Sequence, residues 1–269
     1  MCEQHGPARR TILQGAAVAS GAALVAGTGV GTANADADAR AAAAEPSMYF
    51  RADWDARPPS SPVQVLATPP THVVVHHTAT PNSTDYSEAH ALALSRSIQN
   101  YHMDTQGWID AGQQFTISRG GHLMEGRNLA VVAVREGTHC VGTHVADYNG
   151  TTVGIENEGT YMEEGPTQEL TDKLIETLAW LCGAYGLDPQ QAIVGHRDFN
   201  STACPGDVLY SMLPELRDAV SGLMAAQGME IGTVHVAAED RPTYPEVPED
   251  EPQREFFHGP GRGADDFTR

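Results

Sequence analysis

Two short apolar runs that each stop at a histidine constrain this chain more than any other feature. Thr71–His77 (THVVVHH) is rich in valine and alternates little, so it reads as a central strand. Gln191–Gly195 is a second apolar strand and leads directly into His196. Thr152–Glu156 is a third. Gln114–Ser118, the turn Arg119-Gly120-Gly121 and His122–Glu125 read as a β-hairpin. Helical periodicity runs from Ser83 to Ile98 through Ala91, Leu94, Ser95 and Ile98. The strongest helix is Thr167–Tyr185, with Thr167 as N-cap, Gly186 as C-cap, and Leu170, Leu174, Ile175, Leu178, Leu181 and Cys182 on one face. Val208–Met224 reads as another helix, which Pro214 starts or kinks. Strands and helices interleave without an internal repeat. The predicted class is α/β, a central mixed β-sheet flanked by helices in a single domain.

The chain has 269 residues, 41% of them apolar, which suffices for a real core. The formal net charge of −19 argues against a nucleic-acid partner, because phosphate binding needs a basic patch. Residues 1–35 read as an export signal of twin-arginine type. Arg9-Arg10 precede a weakly apolar Ala/Gly-rich run from Thr11 to Thr32, and a small-residue cleavage site follows at Ala33-Asn34-Ala35. The run is too rich in Gly and Ala for a stable anchor, and Cys2 would leave with the signal, so no membrane anchor is expected after processing. Residues 36–47 read as an Ala/Asp-rich linker, 48–226 as the folded domain and 227–269 as a tail. From Glu239 to Arg269 the tail carries nine acids against four arginines and almost no aliphatics, so disorder is expected there. A monomer is expected.

His76 and His77 close the first strand, where alternation sends their side chains to opposite faces, so only one can serve a given site. His196 follows the later strand, and Cys204 lies eight positions beyond it, across a Ser/Thr/Asn loop. Pro205-Gly206 follow as a rigid turn able to hold the thiolate. Two histidines and a cysteine with no evident fourth ligand is the composition of a catalytic zinc site, which keeps one position open for water. Glu156, closing an apolar strand, is the candidate general base, since a carboxylate there is costly to bury without a purpose or partner. From spacing alone, an exposed strand-end glutamate fits Glu156 as well. If Cys204 binds metal, Cys140 and Cys182 remain as an even pair, and in an oxidising compartment a disulfide between them is one expectation, two buried thiols the other.

Seven segments in order resemble the zinc-dependent N-acetylmuramoyl-L-alanine amidase family, specifically a bacterial, secreted member of its peptidoglycan-recognition-protein branch. They are RADWDARP from Arg51, VVVHHTAT, IQNYHMDTQGW from Ile98, EGRN from Glu125, GTHVADYN from Gly142, VGIENEG from Val153 and HRDFNSTACPGD from His196. The resemblance implies His76, His196 and Cys204 as zinc ligands, with His77 facing away. It implies Thr202 as an oxyanion-stabilising side chain and His144 as a histidine on the wall of the substrate groove. Asn100 and His102 read as structural. In many members a tyrosine that contacts the zinc water stands where this chain has Gln113, and glutamine cannot titrate. Related bacterial amidases carry a glutamate base in the motif that here reads Val153-Gly154-Ile155-Glu156. The resemblance therefore implies that Glu156 transfers the proton, with Gln113 hydrogen-bonding near the metal water.

The implied reaction is hydrolysis of the amide between N-acetylmuramic acid and L-alanine, with water on the zinc as nucleophile. Peptidoglycan is the implied partner, and the implied location is outside the cell or in the wall. Arg197 could meet a substrate carboxylate or pair with Asp198. Two alternatives share these features: a non-catalytic peptidoglycan-binding receptor, and a zinc peptidase acting on the stem peptide.

Overall fold

The computed structural model describes residues 45–229. The expected export signal, the expected linker as far as residue 44, and the tail from residue 230 onward lie outside the described residues. The described residues start ahead of the expected boundary at Met48: Pro46 is buried, and the Glu45 carboxylate pairs with Arg135 on α2 (Ala130–Glu136) at 2.5 Å.

A five-stranded mixed sheet forms the centre, in the order β4-β3-β6-β2-β7. Here β2 is His72–His77, β3 Phe115–Ile117, β4 Leu123–Glu125, β6 Thr152–Asn157 and β7 Ile193–Gly195. β2 pairs in parallel with both β6 and β7, β3 pairs in parallel with β6, and only the β3–β4 hairpin is antiparallel. The valine-rich run is thus a central strand, buried at all six positions. β1 (Val65–Leu66) and β5 (His139–Cys140) form a separate antiparallel pair.

Period-two alternation gives the sheet two unlike faces. Val73, Val75, Phe115, Ile117, Val153 and Ile155 point to one side and pack against α3 (Gln168–Tyr185) and α6 (Leu213–Ala226). α3 starts at Thr167, whose hydroxyl accepts from Leu170 N, a cap worth about 1 kcal/mol, and ends at Gly186 at φ 66°. The expected single helix over Val208–Met224 is two helices, α5 (Asp207–Ser211) and α6, and Pro214 falls in the first turn of the second. The expected strand over Gln191–Gly195 is shortened because Asp188 caps a helical turn, α4 (Pro189–Ala192), ahead of β7.

On the other face, α1 (Glu88–Asn100) packs Ala91 against Trp54 and Met124. It starts at Ser87 rather than near Ser83, because Asp85 N bonds Ser83 Oγ and Ser87 N bonds Asp85 Oδ1, turning the chain first. Beyond α1, two loops lie on that face, one after β5 and one after β7, and they pack buried Val145 and partly buried Phe199 against Val74 and Val194.

Candidate functional site

Strand register sets the site. His76 on β2 is the Cα partner of Glu156 on β6, and Glu156 is the partner of Thr116 on β3. In parallel strands such partners share a face, so His76, Glu156 and Thr116 form one row, with neighbouring strands about 4.8 Å apart. The row lies on the face opposite α3 and α6, at the carboxyl ends of the parallel strands, where open α/β sheets bind ligands.

The loop after β7 brings the other two residues to this row. His196 opens a short 3-10 turn (His196–Asp198), held because Asp198 accepts from Gly195 N at 2.8 Å and from Tyr210 OH at 2.5 Å. Arg197 then folds the loop back on itself. Its backbone N–H donates to Cys204 O, its guanidinium bonds Ala203 O and pairs with Asp207 at 2.8 Å, and it lies 4.7 Å over the Tyr210 ring. Gly206, at φ 94°, seats the loop against Tyr161, whose backbone a Cβ would strike at 2.4 Å. Arg197 was expected to meet a substrate carboxylate or Asp198; its ion pair within the chain is with Asp207 rather than Asp198.

His76, His196 and Cys204, all buried, thereby offer three ligand atoms within 4.8 Å of one another. A zinc ion at about 2.05 Å from nitrogen and about 2.3 Å from sulfur, with tetrahedral angles, puts those two atoms about 3.6 Å apart. The separation of Cys204 Sγ from His76 Nδ1 is 3.6 Å. Hydrogen bonding orients the rings to match. His144 Nε2 lies 3.2 Å from Thr152 O, which can only accept, so that nitrogen carries the hydrogen and His144 Nδ1 is the acceptor. His144 Nδ1 in turn lies 3.0 Å from His76 Nε2, which therefore donates, leaving His76 Nδ1 as the lone-pair nitrogen toward Cys204. His196 Nε2 lies 3.1 Å from Asn200 Oδ1, while Asn200 Nδ2 donates to Ala146 O at 3.4 Å, fixing the amide's orientation and making Nδ1 the lone-pair nitrogen of His196 as well. The sulfur accepts the His77 backbone N–H at 3.4 Å. The donor set and its supports fit a zinc ion.

Electrostatics point the same way. Burial pushes the Glu156 carboxyl well above the usual carboxylate range, and it pushes the Cys204 thiol well above its ordinary value, with the Glu156 charge adding to the effect. An acid and a thiol gathered where anions are costly make a site for a cation. Burial holds His77 and His144 neutral, lowering each to about 3.

The remaining expected residues fall as follows. Glu156 is 1% exposed, in the row beside His76. Thr202 is buried, and its Oγ1 accepts Cys204 N–H at 3.2 Å, which leaves its own hydroxyl hydrogen to donate elsewhere. Gln113 is buried, with Nε2 donating to Thr116 Oγ1 at 2.8 Å, one strand from Glu156. His144 was expected on a groove wall; it is 4% exposed and lies behind His76. It fits there because Gly154 has no side chain: a Cβ would lie 2.6 Å from the imidazole. Cys140 and Cys182 are buried free thiols, the second of the two expectations for them, and burial raises each to about 12. His102 accepts Gly112 N–H and stacks on Trp108 at 4.5 Å, a structural placement. Sequence reasoning did not single out Asn200, Thr116 or Gly154. Asn200 could have been sought four positions after His196, and Thr116 by strand alternation from the hairpin.

Comparison with known proteins gives this geometry a family. The profile described as N-acetylmuramoyl-L-alanine amidase matches residues 66–207, more than half of the chain. The N-acetylmuramoyl-L-alanine amidase of Sus scrofa is 34% identical over 169 residues, covering 62% of this chain and 27% of its own length. This chain therefore spans only about a quarter of that relative. The peptidoglycan recognition protein of Trichoplusia ni is 36% identical over 161 residues, covering 59% of this chain and 81% of its own. Among solved structures, wild-type Drosophila PGRP-LB aligns with a TM-score of 0.54 at 29% identity, covering 62% of this chain and 92% of that one. A mutant of the same Drosophila protein, in complex with tracheal cytotoxin, aligns with a TM-score of 0.54 at 30% identity, covering 62% of this chain and 92% of that one. These relatives are animal proteins that carry both names, amidase and recognition protein. A single amidase domain with a mixed sheet flanked by helices accounts for fold, profile and neighbours together, and the chain belongs to the N-acetylmuramoyl-L-alanine amidase family that includes the peptidoglycan recognition proteins.

Proposed function

We propose that this protein is a zinc-dependent amidase that hydrolyses the bond between N-acetylmuramic acid and L-alanine in peptidoglycan. The observation that carries the reading is the row on the polar face: a three-ligand cluster with Nδ1, Nδ1 and Sγ donors, and a buried carboxylate in register beside it. A receptor needs the groove but has no use for Glu156 buried next to His76. A structural zinc would want a fourth protein ligand, and among the described residues the cluster holds three.

His76, His196 and Cys204 would hold the zinc ion, which when bound would supply Lewis acidity to water and to the scissile carbonyl. The chain does the rest. Glu156 takes the proton of the attacking water and hands it to the departing alanine nitrogen, as general base and then general acid. Its burial keeps bulk water away from the transfer. Thr202, with its oxygen engaged by Cys204 N–H, donates its hydroxyl hydrogen to the developing oxyanion, an interaction worth ~3–4 kcal/mol per donor in other hydrolases. Gln113 keeps a buried amide oxygen beside this row as an acceptor, while its nitrogen is tied to Thr116. Release outside the cell follows from the expected export signal.

The test is digestion of a defined muropeptide, with and without chelator, read by mass spectrometry. New L-alanine amino termini that vanish on chelation support the amidase. Other amino termini would mean a stem-peptide peptidase, and binding without cleavage a receptor.

A further inference from the structure

A single loop meets both histidines of the cluster from behind. Asn149 Oδ1 accepts the backbone N–H groups of His144 at 2.7 Å and Val145 at 3.0 Å. Asn149 O is itself 2.8 Å from His139 Nε2, which ties the loop to β5. So pinned, His144 rests on Gly154 and meets His76 Nε2 at 3.0 Å. Two residues on, Ala146 O receives Asn200 Nδ2 and so turns Asn200 Oδ1 to His196 Nε2.

We propose that the 142–149 loop is the positioning element of the metal centre. Directly through His144, and indirectly through Asn200, it fixes His76 and His196 as Nε2–H tautomers, so that both Nδ1 lone pairs face the position beside Cys204. This rests on the zinc reading above. His144 and Asn200 are positioning residues and touch no substrate. Asn149 couples them, because the contacts to both histidines hang on the backbone that its one side-chain oxygen shapes. A ligand that must change tautomer or turn before it can bind loses affinity, and loss of such supports usually costs 10–100-fold in metal binding.

Two measurements on the whole protein test this: zinc affinity by chelator competition, and imidazole nitrogen NMR of the zinc-free protein, which reports tautomers without any metal. Wild-type protein should show both His76 and His196 as Nε2–H. Asn200→Leu should lower zinc affinity about 10–100-fold and leave His196 as a tautomer mixture while His76 is unchanged. Asn200→Asp, whose carboxylate oxygens both accept, should restore the tautomer without the contact to Ala146 O, which separates the acceptor's part from the loop's. Asn149→Ala should disturb both histidines at once. Should that variant not fold, His144→Phe, which is close in volume and lacks the acceptor, must disturb His76 alone. Asn200→Leu with wild-type tautomers and an affinity within about twofold of wild type would overturn the proposal. Wild-type protein that binds no zinc would instead overturn the zinc reading, while the tautomers would still decide whether the loop sets the rings.

Discussion

The two faces of the central sheet are made by the same strands, residue by alternate residue, and they are built on opposite principles. Val73, Val75, Phe115, Ile117, Val153 and Ile155 form a face that is apolar throughout and packs on α3 and α6. His76, Glu156 and Thr116 stand one residue out of phase with these, with Gly154 leaving room for His144. The first face gathers burial energy. The second spends some of it, by holding an acid and a thiol where their charged forms are disfavoured. A strand can serve both because its side-chain period is two, and a one-residue slip would exchange the faces and destroy both roles.

The largest expected effect that would break this division comes from the polar face. Cys204→Ala should abolish zinc binding and peptidoglycan hydrolysis together, while the Tm of the metal-free protein stays level or rises, because a buried thiol beside Glu156 contributes little to packing that alanine cannot. A large fall in Tm on calorimetry would show that the polar face is structural after all. On the apolar face the pattern should reverse. Leu174→Ala should cost about 2–5 kcal/mol in denaturant unfolding yet leave zinc affinity unchanged in the folded fraction. Next comes pH. The Cys204 thiol is raised above its ordinary value, so it is protonated in the metal-free protein near neutrality and must release that proton when it becomes a ligand. Zinc affinity should therefore fall about tenfold, or about 1.4 kcal/mol, for each unit by which pH is lowered from about 8 to about 7. Titration with a competing chelator reads this, and an affinity indifferent to pH would contradict it. The smallest effect concerns Cys140 and Cys182: as free buried thiols they should let the Tm pass through reductant treatment with no shift beyond about 1 °C.

Much of this was legible in the sequence because it is local. The valine run announced a central strand, Thr167 and Gly186 bounded α3, residue type at strand ends drew attention to His76, His196 and Glu156, and the loop after His196 offered Cys204. What escaped is what only three dimensions supply. α2 starts from Leu129 in a left-handed conformation at φ 71°, with no side-chain cap, so it lacks the start signal that marked α3. β1 and β5 have two residues each, too few for any alternation to show. His144 lies 68 positions from the His76 ring that it orients. Its seat depends on an absent side chain at Gly154, and no spacing rule connects the three. Arg197 had two acids within reach along the chain, and loop closure selected Asp207 over the adjacent Asp198, which serves Gly195 and Tyr210 instead.

The central claim is that Glu156 is on the polar face for chemistry alone. Glu156→Gln keeps the shape, removes the proton acceptor and leaves all three ligands in place. The decisive measurement is the rate of L-alanine amino-terminus release from a defined muropeptide by wild-type and Glu156→Gln protein, each shown to hold one zinc per chain. A rate lower by about 10²–10⁴-fold with equal zinc content and an equal or higher Tm is the expected result. Release at the wild-type rate by the zinc-loaded variant would contradict it.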